Sequence, residues 1–168
     1  MKRRALVALS VAAMAVGVTA GPAGAAPQRS IISASYTGGP DTVTSFRCVP
    51  ADTPATCHGT ASGDATYAGG WTGTSHYEYR FVIAATGAYT VDIIERFEGI
   101  VAGCGNGTFV VRTHELIEPT GVAQGRWVIA RGGTGDLLAL TGTGSSAAVY
   151  APDGTGDGTI TGAVTCRP

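Results

Sequence analysis

Apolar and polar side chains alternate with a period of two along most of this chain, and the clearest run spans residues 89–112. Tyr89, Val91, Ile93, Phe97 and Val101 share one face of an extended strand, and Thr90, Asp92, Arg96 and Glu98 share the other. A helix cannot display that period. Glu95 interrupts the apolar face. The strand runs out in Gly103-Cys104-Gly105-Asn106-Gly107, where Asn106-Gly107 offers the positive-φ pair of a tight hairpin turn, and a second strand returns over 108–117. Similar runs predict strands over 31–36, 45–48, 58–65, 70–84, 89–101, 108–117, 125–131, 144–150 and 159–166. Gly, Pro and Asp clusters separate them, as at Gly38-Gly39-Pro40-Asp41, Glu118-Pro119-Thr120-Gly121 and Pro152-Asp153-Gly154. No stretch keeps helical spacing over three turns, so the reading is all-β. Short loops favour an up-and-down antiparallel meander closing into a barrel over a sandwich with long crossovers.

The alternation also assigns faces. Tyr77, Tyr79, Phe81 and Ile83 alternate with His76, Glu78, Arg80 and Val82, while Phe109 and Val111 alternate with Val110 and Arg112. Trp127 and Ile129 alternate with Val128 and Ala130. The aromatic set is expected inside, and Glu95, Thr113, Glu115 and Arg131 share its parity. Glu115, near a strand end, is expected to be solvated. His58, His76 and His114 are read as outward.

Composition changes the picture at the N-terminus. Lys2, Arg3 and Arg4 precede an apolar run and a small-residue segment ending at Ala25, the layout of a secretory signal peptide. Residues 26–168 then form a single domain expected outside the cell. The leader holds three of the eleven basic residues, so eight Arg face twelve acids in the mature chain, a net charge of −4. Without a basic run, neither nucleic acid nor an anionic membrane is the expected partner, and no later segment is apolar enough to span a membrane. Four cysteines in an oxidising space imply two disulfides, with three pairings available. Proximity favours Cys48–Cys57 and elimination then leaves Cys104–Cys166. Neither the Cys nor the His spacing suits a metal, and no cofactor is expected.

Four segments carry a resemblance: Glu95-x-Phe97-x-Gly99; Gly103 to Phe109; Gly125-x-Trp127-Val128; and Gly133-Thr134-Gly135-Asp136-Leu137-x-x-Leu140-x-Gly142-x-Gly144. Over roughly residues 59–166 the chain resembles a family of uncharacterised bacterial proteins similar to the allene oxide cyclase and dirigent barrels. The resemblance implies an eight-stranded barrel with a central cavity, commonly in a dimer or trimer. The plant barrels guide cyclisation or coupling of reactive intermediates. The cyclase's catalytic residues have no residue-by-residue counterparts here, so the fold carries over and the activity does not.

Glu95 is the first candidate for chemistry. A carboxylate between Ile93 and Phe97 on an inward face would be desolvated and able to act as a general acid or base. The structural alternative pairs it with Arg131 or hydrogen-bonds it to Tyr77 or Tyr79. There is no Gly-x-Ser-x-Gly elbow, and Gly132-Gly133-Thr134-Gly135 lacks the Lys of a phosphate loop, so tight turning explains it. Three functional readings follow. The first is a binding module enclosing a small apolar molecule among Tyr77, Tyr79, Phe81, Tyr89, Phe97, Phe109 and Trp127, oriented by Glu95 or Arg131. The second is an isomerase or cyclase using the same cavity, and the third a filled barrel acting through its surface. The volume left inside once the large side chains are placed separates them.

Overall fold

A computed structural model describes residues 27–49, 56–130 and 133–167, so the leader read over 1–25 lies outside the described residues. Nine strands follow in order: β1 (Gln28–Gly38), β2 (Thr42–Val49), β3 (Thr56–Gly69), β4 (Trp71–Ile83), β5 (Tyr89–Val101), β6 (Gly105–Ile117), β7 (Val122–Ile129), β8 (Thr141–Tyr150) and β9 (Gly156–Cys166). Neighbours are antiparallel in the order β1-β9-β8-β7-β6-β5-β4-β3-β2, and a further pairing of β1 with β3 closes a ring of eight. From β3 to β9 the chain is the expected meander. The departure is β2, which stands outside the ring. β3 is 14 residues long and serves two partners along one edge, β2 through Thr56 to Ser62 and β1 through Ala65 to Gly69.

The central hairpin also departs from expectation at its turn. Val101 pairs with Gly105, so the chain reverses over residues 102–104, while Asn106 and Gly107 lie in the ladder opposite Ile100 and Gly99. Gly103 takes φ +79° at the third position of the turn, and the Cys104 N–H donates to the Val101 carbonyl at 3.0 Å. A glycine is needed at that position, and the tighter reversal lets the ladder continue through Asn106.

The inside of the barrel has two halves. At the end formed by the β5–β6 turn, Trp71, Phe97, Phe109, Val101, Leu137 and Val164 are each 2% exposed or less. Trp71 is the hub, its ring centroid 5.0 Å from Phe109, 5.2 Å from Trp127, 5.7 Å from Phe97 and 5.8 Å from Tyr67. Trp127 lies over the paired Gly144 and Gly162, where a Cβ on either would come within 2.5 Å of its ring. The loop after β7 folds across this end in one 3-10 turn, Gly135–Leu137. The Thr134 N–H donates to the Thr108 carbonyl at 2.9 Å, and Leu137 is driven into the core. The tight-turn reading of the glycine-rich segment holds, with Gly132 outside the described residues.

Disulfides join Cys48 to Cys57 and Cys104 to Cys166, the two favoured pairings. The first ties β2 to β3 and the second the β5–β6 turn to the end of β9. Among the described residues no helix is long and apolar enough to cross a membrane.

Candidate functional site

The opposite half of the barrel is a cup. Its cavity measures about 790 Å³ and opens between the β1–β2, β6–β7 and β8–β9 connections. The wall is built by parity: Tyr77, Tyr79, Phe81 and Ile83 from β4, Tyr89, Val91, Ile93 and Glu95 from β5, and Val111, Thr113, Glu115 and Ile117 from β6. β2 adds Val43 and Phe46 on the side where it stands away from the ring, and the Phe46 and Phe81 rings stack 6.2 Å apart. Trp71, Tyr67 and Trp127 form the floor, where the cup meets the packed half.

Three carboxylates reach into this space, each held by hydroxyl groups. Glu95, 7% exposed, accepts at Oε1 from Tyr67 at 2.8 Å and from Ser75 at 2.5 Å. Its Oε2 takes no hydrogen bond from any described residue. Glu115, 2% exposed, accepts from Ser146 at 2.6 Å and from Tyr150 at 3.1 Å, and the Tyr150 hydroxyl is 3.0 Å from that of Tyr36. Nearer the mouth, Asp41 accepts from Tyr77 at 2.9 Å and from Tyr79 at 2.5 Å. Burial pushes the Glu95 carboxyl above its ordinary value, against the opposing pull of the Ser75 and Tyr67 hydrogen bonds, with the nearby Glu115 charge adding to the rise. Burial likewise raises Asp41, offset by Tyr79 and Tyr77. The five tyrosine hydroxyls are raised by burial too, so they remain donors. Among the described residues lining the cup there is no Arg, Lys or His, and no group of His, Cys, Asp and Glu is arranged to hold a metal.

The segments that build the cup coincide with a recognised sequence family. A family model described as "Protein of unknown function (DUF3224)" matches residues 41–156, which is 116 of the 168 residues. The chain belongs to the DUF3224 family. A crystal structure of a DUF3224 protein with unknown function, from Shewanella oneidensis MR-1, is similar in fold. It is 18% identical, covers 84% of this chain and 99% of its own, and superposes with a TM-score of 0.54. At that identity the likeness bears on the fold alone. No curated protein matches the chain. The expected uncharacterised bacterial family with an eight-stranded barrel is thereby met.

Within this DUF3224 barrel, Tyr77, Tyr79, Phe81, Tyr89, Trp127 and Glu95 all line the cup as their parity requires. Phe97 and Phe109 point inward but sit below it in the packed half, so they do not line the cavity. Arg131 lies outside the described residues. Glu115 corrects the expectation of a solvated side chain. It pairs with Gly125, whose missing side chain leaves room for the carboxylate to fold inward onto Ser146. The hydroxyls of Tyr77 and Tyr79 go to Asp41, and Glu95 is bonded by Tyr67 and Ser75 in their place. His76 and His114 are outward, beside Asp64 at 2.8 Å and Asp92 at 2.7 Å, and His58 is exposed. Sequence reasoning missed Tyr67 because the β3 strand was ended at residue 65. It missed Asp41 because an Asp after Gly-Gly-Pro reads as turn chemistry. Trp71 carried a usable signal, sharing the parity of Tyr77 and Tyr79.

The raised carboxyl of Glu95 has a thermodynamic consequence. Its folded form binds its proton more tightly than the unfolded chain does, so its contribution to stability is greatest below the ordinary value of 4.5 and falls as pH rises towards the folded one. Glu95→Gln removes that dependence while keeping an oxygen for Tyr67 and Ser75. The melting temperature of the wild type relative to this variant should therefore fall as pH is raised from 4.5 to neutrality. A difference that stays constant across that range would show that Glu95 is no more basic when folded.

Proposed function

We propose that this protein binds a small, largely apolar molecule in the cup of its barrel. The observation that supports the reading best is the cavity of about 790 Å³, within the ~300–1,000 Å³ of ligand pockets and, like them, apolar-walled with a few convergent polar groups. A barrel working only through its surface would have no need to leave this half unfilled. The leader and the two disulfides favour a site of action outside the cytoplasm. Native mass spectrometry of the oxidised mature chain, compared with its denatured mass, is expected to show a small molecule carried with the barrel. The chain's two tryptophans both line the cup, so their fluorescence provides a second readout. A ligand-free mass together with tryptophan emission unchanged by naphthyl probes of neutral, positive and negative charge would overturn the reading.

One observation favours the isomerase or cyclase reading as a second choice. Glu95 is desolvated, inclined to hold a proton, and has an oxygen without a partner among the described residues. Once a bound compound is known, Glu95→Gln should abolish its conversion while leaving its binding measurable. Conversion at an unchanged rate would remove Glu95 from the chemistry.

A further inference from the structure

Among the described residues that line the cup, the charged side chains have a single sign. Glu118 and Asp153 stand at the mouth, Asp41 part-way down, and Glu95 and Glu115 at the floor, with no described basic side chain among the lining residues. Glu95 and Glu115 are both more than nine-tenths buried. Carboxylates so placed ordinarily meet a cation, because taking a charge out of water costs several kcal/mol that neutral hydroxyl donors only partly offset. Here every described partner of the two is a hydroxyl, from Tyr67, Ser75, Ser146 and Tyr150, and Glu95 Oε2 has no described partner at all. The wall above presents the rings of Tyr77, Tyr79 and Phe81, whose π faces attract positive charge. Acidic groups spaced from mouth to floor of a low-dielectric cleft also raise the local concentration of cations.

We propose that the ligand of the cup is an organic cation, a protonated amine on an aromatic or alkyl body, with its ammonium held by Glu95 and Glu115 and its body against Tyr77, Tyr79 and Phe81. This rests on the cup being a binding site, and it names the ligand's chemistry. The ammonium supplies the missing counter-charge and donates to Glu95 Oε2. Tyr67 and Ser75 hold the other oxygen of Glu95, so the acceptor is oriented before the ligand arrives.

Three probes of matched shape test it on the oxidised mature chain at neutral pH: 1-naphthylmethylamine, 1-naphthylmethanol and 1-naphthoate. Binding is read by tryptophan fluorescence and calorimetry. The amine is expected to bind about tenfold or more tighter than the alcohol, and naphthoate more weakly than either. Glu95→Gln and Glu115→Gln should each cost the amine about fivefold or more in affinity, and a larger factor than either costs the alcohol. The wild-type comparison stands by itself if either variant folds poorly. An alcohol as tight as the amine, or naphthoate as the tightest probe, would overturn the cation and leave the binding site standing. Failure of all three probes to bind would overturn both.

Discussion

Trp71→Ala is expected to lower the stability of the domain by about 3–5 kcal/mol, the usual loss for a large aromatic side chain cut from a packed core. Trp71 is 1% exposed and meets the rings of Tyr67, Phe97, Phe109 and Trp127. Those four come from β3, β5, β6 and β7. Removing the indole leaves a void that no single neighbour can fill without abandoning another contact. A domain of this size is stable by only about 5–15 kcal/mol, so the variant should melt far below the wild type or fail to fold. Trp71→Phe should lose much less, because it keeps a ring at the hub and deletes the indole N–H, which finds no acceptor among the described residues. Urea denaturation of both variants makes the comparison. A loss under about 1 kcal/mol for the alanine would mean that the packed half can collapse around the gap, and Trp71 would no longer count as its hub.

The second large effect belongs to the disulfide between Cys104 and Cys166. It closes a loop with a sequence separation of 62, against 9 for Cys48–Cys57. Chain-entropy arithmetic then assigns about 4 kcal/mol to the longer bridge and about 2.7 kcal/mol to the shorter. Replacing both Cys104 and Cys166 by alanine should therefore cost more than replacing Cys48 and Cys57. The two bridges also act on different parts of the molecule. Cys104–Cys166 staples the β5–β6 turn to the last strand of the ring, and both of its sulfurs pack with the core. Cys48–Cys57 holds β2, whose residues are all exposed, against the edge of β3. The first pair should move the global unfolding midpoint in urea. The second should chiefly speed hydrogen exchange in β2. Equal losses of midpoint from the two pairs would reject the loop-length account.

The pairing itself shows how far spacing can carry. Eight residues between Cys48 and Cys57 suggest a local link, and the other pair follows once that one is accepted. The strand at 89–101 was legible in the same way, down to its bounds, because its alternation over thirteen residues, though interrupted at Glu95, leaves no competing helical period. Where the local signal was weaker, it misled. Asn106-Gly107 has the chemistry of a hairpin turn, yet Gly103 makes the reversal three residues earlier and the ladder absorbs Asn106. β2 reads like any other strand of the meander. Its exclusion from the ring depends on β1 and β3 pairing with each other, a contact between residues 34–38 and 65–69 that no local pattern encodes.

By itself, then, the sequence determined the all-β class, the inward set of side chains and the candidate Glu95, because strand parity is a property of each segment taken alone. The tertiary structure decided the rest of the site. Parity assigns a face and carries no information about height in the barrel, so Phe97 and Phe109 entered the packed half while Tyr77, Tyr79 and Phe81 were left to line a cavity. Hydroxyl partners are chosen by which strands lie one or two places apart in the sheet. That is why Tyr67 and Ser75 hold Glu95, Ser146 and Tyr150 hold Glu115, and Asp41 leaves its turn to take the two tyrosines of β4. Each of these contacts joins residues 20 or more apart in the chain, and it is the pairing and curvature of the strands that bring them within a hydrogen bond of each other.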